Sequence, residues 1–203
     1  MMPKETPLSL DARSILAILQ KQKSQLRLIY VAPEDPVFLK RMNNKNLLPF
    51  SGRIQPWLPY GGEKDLLWMQ ESWTPIRFHP NTNQFSVCYE ADQAILGPFL
   101  CEKEERRRFC LWAHRNDTEG LRFYSPCYLP RAATRLLLHI AEVRIEALQD
   151  ISEEDLTGEG FSQGNFLHRK TQFQRWWDQS HYYLYDWMSN PYVWVIRFEA
   201  LHK

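Results

Sequence analysis

The sequence predicts an α+β fold in which a small barrel or curled sheet carries peripheral helices. Segments with helical apolar spacing and segments with strand-like alternation are mixed along the chain, without the regular strand–helix alternation of parallel sheets. The 203 residues are 44% hydrophobic, which suits a single domain over residues 1–203 and excludes a collagen-like or disordered chain.

Three helices are predicted from capping residues and apolar periodicity. The first follows Ser9 and Asp11, either of which can cap it, and covers 12–20. The second begins after Ser152, has an acidic residue at the capping-box position, and is limited to about two turns by glycines. The third, at 165–180, gathers its aromatic side chains on one side.

Five strands are predicted, at 27–32, 66–73, 85–91, 134–148 and 192–201, and the fourth is either a long bent strand or a helical turn that enters a strand. The stretch 33–62 is rich in Pro, Asn and Gly and is predicted to be irregular, while the charge run 102–108 is predicted to be an exposed turn or short helix. In the fourth strand, one of the two alternating sets becomes charged after Ile140. This change predicts that the strand leaves a buried setting there.

The net charge of +1 predicts no partner, but the charges are unevenly distributed. Residues 1–53 carry nine Lys/Arg against four Asp/Glu, and residues 142–159 carry seven Asp/Glu against one Arg. This asymmetry fits a basic groove for a polyanion, and it also fits a solvated surface of mixed charge. No apolar run approaches the ~18 residues of a membrane span, and the N-terminus lacks a secretory pattern, so a soluble, cytosolic protein is expected.

The cysteines and the aromatic residues add two further expectations. None of the four cysteines forms a C-x-x-C pair, which argues against a zinc ribbon or a thioredoxin motif and predicts reduced thiols without a metal or cofactor. Aromatic residues make up 14% of the chain. Most are expected in the core, and some could serve as stacking platforms for unpaired bases.

Four segments carry a family resemblance. Residues 12–29 read A-R-S-I-L-A-I-L-Q-K-Q-K-S-Q-L-R-L-I, and 60–73 read Y-G-G-E-K-D-L-L-W-M-Q-E-S-W. Residues 129–161 contain L-P-R-A-A-T-R and L-Q-D-I-S-E-E-D-L-T-G-E-G, and 173–198 contain F-x-x-x-W-D and N-P-x-V-W-V-I-x-F. In this order they resemble ASCH-domain proteins of the type encoded by phages and prophages.

The resemblance covers the chain apart from poorly matched insertions near 33–59 and 93–122. It implies a PUA-like fold, which is a small, partly open β-barrel with helices against its mouth. It also implies a cleft between the barrel and the first helix that receives RNA, single-stranded nucleic acid or a nucleotide.

The resemblance also implies site residues, and here the sequence departs from the family. Small ASCH amidohydrolases that act on acylated cytidine use a Lys, a Thr three residues later and a Glu after the E-E-D helix. Lys23 and Glu159 match two of these positions, whereas Leu26 replaces the Thr. Ser24 directly follows the Lys, and Arg27 represents the Arg of the motif. Because an activated nucleophile needs a hydroxyl or thiol beside its base, the sequence favours binding over catalysis.

Lys23, Ser24, Arg27 and Arg131 are the candidate phosphate ligands, although cations such as Lys23 and Arg27 also suit a solvated helix end. Glu71 and Trp73 are candidates for lining the cleft. An acid within an aromatic strand is either exposed or needs a buried partner, and Arg131 is one candidate for that partner.

Three functions therefore stay open at this stage. The first is a nucleic-acid- or nucleotide-binding module, whose phosphate contacts would make binding fall steeply with salt. The second is an amidohydrolase on a modified cytidine, or a ribonuclease, built on Lys23 and Glu159. The third is a protein-interaction module that uses the two insertions to bind a host protein. A shared site requires the Lys23 and Glu159 charges to lie within roughly 4–6 Å, with Leu26 beside them.

Overall fold

The computed structural model describes residues 3–30, 59–79, 81–103, 106–181 and 185–202. Over these residues the fold is mixed α+β, with eight strands in two sheets and four α-helices. The predicted irregular stretch 33–62 lies outside the described residues except for its last four positions. No helix in the described part is long and apolar enough to cross a membrane.

The helices are α1 (Ala12–Leu19), α2 (Arg106–Glu119), α3 (Glu153–Gly158) and α4 (Phe166–Ser180). The strands are β1 (Glu5–Ser9), β2 (Gln25–Ile29), β3 (Leu66–Gln70), β4 (Trp73–His79), β5 (Gln84–Tyr89), β6 (Ile95–Leu100), β7 (Leu136–Ala147) and β8 (Tyr192–His202). One sheet has the order β1-β3-β7-β8-β2 and the other has the order β4-β5-β6.

The chain divides into two compact units. Of the described residues, those within 1–20, 66–138 and 200–203 form unit 1, and those within 21–65 and 139–199 form unit 2. In unit 1, β1 pairs in parallel with β3, and β4, β5 and β6 form an antiparallel sheet. Its core surrounds the fully buried Trp73, whose ring centroid lies 5.5 Å from that of Phe109 and 5.4 Å from that of Trp112.

Unit 2 contains an antiparallel pair of β2 and β8, in which Arg27 lies opposite Val195. Aromatic residues of α4 and aliphatic residues of β8 form the core of this unit, together with residues around α3. Ser152 caps α3 with a complete capping box through Asp155, and Asn165 caps α4 by accepting a hydrogen bond from the His168 backbone N–H.

Arg169 of α4 joins that helix to α3. Its guanidinium donates to the carbonyls of Phe161 (2.6 Å) and Glu153 (2.8 Å), to Thr157 Oγ1 (2.6 Å) and to Glu153 Oε1 (3.1 Å). Lys170 next to it donates to the carbonyl of Gln149 at 3.0 Å. Two cations near the start of α4, Arg169 and Lys170, therefore form hydrogen bonds inside unit 2.

The three predicted helices are confirmed, and Asp11 is the residue that caps α1. The predicted strand 66–73 is two strands, β3 and β4, separated at Glu71 and Ser72. The charge run at 102–108 leads into a helix of 14 residues, because Phe109 and Trp112 pack into the core of unit 1. Strands β1 and β6 are not predicted from the sequence. Each contains a proline, a residue that disfavours a strand assignment.

Arg169→Gln is expected to lower the free energy of unfolding by about 2–4 kcal/mol, because it leaves buried acceptors without their donor. Arg175→Gln, at an exposed position of the same helix, is the matched control and should change it by less than about 0.5 kcal/mol. Urea unfolding followed by circular dichroism measures both variants. Equal stability of the two would show that the Arg169 contacts contribute nothing.

Candidate functional site

The candidate site is a network of six charged side chains that lies entirely in unit 2. We call it the charge network; its members are Lys23, Arg27, Arg144, Glu146, Asp155 and Glu159. These three cations and three carboxylates sum to a formal charge of zero, and the more exposed Glu142 carboxylate lies 3.7 Å from Arg144 at their edge. The structure thus brings together Lys23, Arg27 and Glu159, which the sequence analysis singled out, and it adds three residues that the analysis missed.

Backbone contacts between β2 and α3 position the network. Glu159 is the C-cap residue of α3, and the N–H of Ser24 donates to the carbonyl of Gly158 at 2.8 Å. A Cβ on Gly158 would lie 3.2 Å from the Cβ of Gln25, so glycine permits this close approach of the helix end to the strand. The approach places the Glu159 carboxylate over the start of β2.

Arg27 is the centre of the network. Its side chain is 0% exposed, and its Nη1 donates to Glu159 Oε1 at 3.1 Å. Its Nη2 donates to Glu146 Oε1 at 2.5 Å and lies 3.3 Å from Asp155 Oδ2. The guanidinium also lies 5.9 Å from the centroid of the Phe173 ring.

Lys23 lies at the edge of the network. Its ammonium group donates to Glu159 Oε2 in a close ion pair and lies 3.4 Å from the carbonyl oxygen of Glu159. The side chain is only 4% exposed, and its Nζ lies 5.4 Å from the centroid of the half-buried Trp176 ring. The contact that a shared Lys23–Glu159 site requires is therefore present.

Arg144 and Glu146 enter the network from β7. Arg144 donates to Glu146 Oε2 at 3.0 Å and to Asp155 Oδ1 at 2.6 Å. The expectation that β7 leaves a buried setting after Ile140 is thus met only in part, because these two side chains are half-buried and paired. The alternating E-x-R-x-E pattern at 142–146 is the sequence signal that could have identified them, since alternate residues of a strand share one face.

Hydrogen bonding shifts the pKa values within the network. Burial acts to raise the pKa of Asp155, but hydrogen bonds from Ser152 and Arg144 and the charge of Arg27 outweigh it and hold that pKa well below its ordinary value. Burial acts to lower the pKa of Arg144, but hydrogen bonds to Glu146 and Asp155 outweigh it and raise that pKa. Asp155 therefore stays ionised at every pH at which the protein is ordinarily handled.

In the described part of the chain, two buried donors at the charge network lack a hydrogen-bond partner, although every carboxylate of the network is paired. Each of its six carboxylate oxygens accepts a hydrogen bond from the cations or from Ser152. Two buried donors on the same face of β2, Arg27 Nε and Gln25 Nε2, have no hydrogen-bond partner among the described residues. A group that joins this network would therefore be an acceptor, such as a carbonyl oxygen or an unprotonated ring nitrogen.

Leu26 and Ser24 lie outside the network. In β2, Gln25 and Arg27 share the face toward α3, so the buried Leu26 points to the opposite face of the strand. The expectation that Leu26 lies beside Lys23 and Glu159 is therefore wrong. Ser24 is exposed, and its carbonyl accepts from the N–H of Phe198 at 3.0 Å while its own N–H is used by Gly158.

The remaining candidates belong to unit 1 and have other partners. Glu71 is 1% exposed, and its carboxylate accepts two hydrogen bonds from Arg135, at 2.8 and 2.7 Å. Arg135, not Arg131, is therefore the buried partner of Glu71. Trp73 is 0% exposed within the core of unit 1. Glu71 and Trp73 are thus part of the interior of unit 1.

Arg131 is partly exposed and forms an ion pair with Glu5 at 2.8 Å. Its guanidinium lies 5.5 Å from the centroid of the Trp68 ring. Its role as a phosphate ligand stays a prediction.

The described part of the chain contains neither a candidate metal site nor a disulfide. No group of three or more His, Cys, Asp or Glu side chains there is placed to hold a metal ion. All four cysteines are free; Cys88 and Cys101 are buried, and Cys110 and Cys127 are exposed.

Asp155→Asn is expected to lower the free energy of unfolding by about 1–2 kcal/mol at pH 7, through loss of the capping box and of the contact with Arg144. Because the folded-state pKa of Asp155 is lowered, this contribution is present above the unfolded pKa of about 3.9 and is lost as the pH falls through and below it. The stability gap between wild type and variant should therefore narrow between about pH 5 and pH 3.

Thermal unfolding across this pH range measures the gap. Asp150→Asn, at an exposed acid five residues earlier, is the control and should show no gap at any pH. A gap for Asp155→Asn that persists unchanged at pH 3 would contradict the assignment.

Comparison of the chain with protein-family models, with curated proteins and with solved structures found no match. The function proposed for the charge network therefore depends on its geometry and on the motif resemblance.

Proposed function

We propose that this protein is a PUA-like, ASCH-type module that binds a nucleotide or single-stranded RNA through the charge network of unit 2. The observation that carries the proposal is the Lys23–Glu159 pair beside the half-buried Trp176 ring. The Lys23 ammonium group, which Glu159 holds in place at the edge of the network, provides a donor, and the half-buried Trp176 ring provides a stacking surface. These are the groups that proteins use to recognise unpaired bases.

The neutrality of the network favours contact with a base over contact with a phosphate. A phosphate would have to compete with three carboxylates for Lys23 and Arg27, and it would bring at least one negative charge to a site already balanced. The carbonyl oxygens and ring nitrogens of a base are uncharged acceptors, which can take hydrogen bonds from Lys23 and from the two unpaired donors of β2. We therefore expect the affinity for RNA to fall only slightly with rising salt concentration, and not steeply as the sequence alone predicts.

Lys23→Gln is expected to weaken binding of a short single-stranded RNA by about tenfold or more, because it removes the charged donor at the edge of the network. Lys21→Gln, at an exposed lysine two residues earlier, should leave the affinity unchanged. Fluorescence anisotropy with a labelled RNA octamer, repeated at several salt concentrations, provides the measurement.

A double variant controls for misfolding. Lys23→Gln combined with Glu159→Gln replaces the ion pair with two amides and leaves no uncompensated buried carboxylate. The double variant should fold, as judged by its thermal unfolding, and should still bind weakly. Wild-type affinity in a folded double variant, or no RNA binding by the wild-type protein, would refute the proposed function.

The contact between Lys23 and Glu159 also supports a second candidate, an amidohydrolase on an acylated cytidine. A carboxylate in contact with an ammonium group can accept and return a proton. The ASCH amidohydrolases have a Thr three residues after the Lys, and this chain has Leu26 at that position. It therefore lacks the hydroxyl of that Thr. Because Leu26 points away from Arg27, a hydroxyl at this position would not face the Lys23–Glu159 pair.

Leu26→Thr is therefore expected to produce no amidohydrolase activity and to lower the free energy of unfolding by about 1–3 kcal/mol, through lost apolar burial and a buried hydroxyl. Chromatography of the products from acylated cytidine, together with urea unfolding, measures both effects. Turnover by this variant that disappears in Glu159→Gln would instead identify a decayed enzyme.

The predicted interaction with a host protein stays a prediction. Within the poorly matched segment 93–122, Ile95, Leu100 and Leu111 are 60%, 70% and 54% exposed.

A further inference from the structure

A groove of about 450 Å³ runs along the outer face of α4 in unit 2. It is lined by Asn165, Leu167, His168, Thr171, Gln172 and Arg175. His168, Gln172 and Arg175 follow the i, i+4, i+7 spacing of one helix face. Most of the groove surface is apolar; Arg175 provides a guanidinium, and none of the lining residues is acidic.

Arg175 distinguishes this groove from the charge network. The side chain is exposed, and among the described residues no carboxylate forms an ion pair with it. By contrast, every cation of the charge network already contacts a carboxylate. An incoming anion would therefore meet no competing acid at Arg175, whereas at Lys23 or Arg27 it would have to displace one.

The groove adjoins the ring that lies over Lys23. Gln172 and Trp176 are one helical turn apart on the same face of α4, and Arg175 directly precedes Trp176. Lys23 Nζ lies 5.4 Å from the Trp176 ring centroid. Arg175 and Trp176 are consecutive residues of α4, so they are separated by a rise of about 1.5 Å and their side chains leave the helix about 100° apart around its axis. A nucleotide carries the two groups that are complementary to them: a base, which stacks on an aromatic ring, and a phosphate, which pairs with a guanidinium.

We propose that the α4 groove is a phosphate subsite, in which Arg175 contacts the phosphate of a nucleotide whose base stacks on Trp176. This inference rests on the proposed function, because Trp176 and Lys23 belong to the same site. It assigns the phosphate to α4 instead of to Lys23 and Arg27. The ligand is a nucleoside monophosphate unit, either free or as part of a single RNA strand.

Isothermal titration calorimetry with cytidine, cytidine 5′-monophosphate and a single-stranded RNA octamer tests the subsite. The wild-type protein should bind the monophosphate about tenfold more tightly than the nucleoside. Arg175→Gln should remove most of this preference while leaving the affinity for cytidine unchanged. Arg107→Gln, at an exposed arginine of α2, is the matched control and should keep the preference.

Trp176→Leu should weaken binding of cytidine and of its monophosphate equally, by about tenfold, whereas Trp176→Phe should retain most of the affinity because it keeps a ring. Tighter binding of the octamer than of the monophosphate identifies an RNA strand as the ligand, and the reverse order identifies a free nucleotide. Either order supports the subsite if Arg175→Gln weakens binding.

Two results overturn the inference. If the wild-type protein binds cytidine and its monophosphate equally, or if the preference survives Arg175→Gln, the phosphate subsite is refuted while the proposed function stands. If the wild-type protein binds none of the three ligands at millimolar concentration, both the subsite and the proposed function are refuted.

Discussion

The burial of the Arg27 guanidinium is the constraint on which unit 2 depends. A permanently charged group that is removed from water destabilises the fold by several kcal/mol unless carboxylates and hydrogen bonds compensate it. Glu146, Asp155 and Glu159 provide this compensation from β7, from the first turn of α3 and from the end of α3. One arginine of β2 is therefore compensated by carboxylates from two other elements, β7 and α3.

This constraint has a functional consequence. Because the carboxylates balance the cations, the charge network has no excess positive charge with which to attract a polyanion. Its capacity for recognition lies in the direction and number of its hydrogen-bond donors, and any attraction for phosphate must come from cations elsewhere. In unit 2, the exposed Arg175 meets that requirement next to Trp176.

Unit 1 also contains a nearly buried arginine, Arg135, which is compensated by two carboxylates. Arg135 lies between Glu71 and Asp92, and its guanidinium lies 4.1 Å from the centroid of the Tyr89 ring. Burial raises the pKa of Glu71, and the hydrogen bond and charge of Arg135 oppose this effect. Burial also acts to raise the pKa of Asp92, but hydrogen bonds from Arg135 and from Ala94 N–H outweigh it and lower that pKa. Glu71 and Trp73 thus belong to the interior of unit 1 rather than to a binding surface.

The sequence by itself determined the features that depend on neighbouring residues: the α+β class, the cap at Ser152, the helices α1 and α4, and the strand β8. Caps and periodicity act over a few residues, so they can be read directly from the chain. Only the tertiary structure decided that Arg135 rather than Arg131 pairs with Glu71, and that Leu26 points away from Arg27. Lys23 and Glu159 are 136 positions apart, and no local rule brings such residues together. Their contact results from the packing of α3 against β2. Two buried cations, Lys23 just before β2 and Arg27 within it, require the carboxylates that α3 and its C-cap carry.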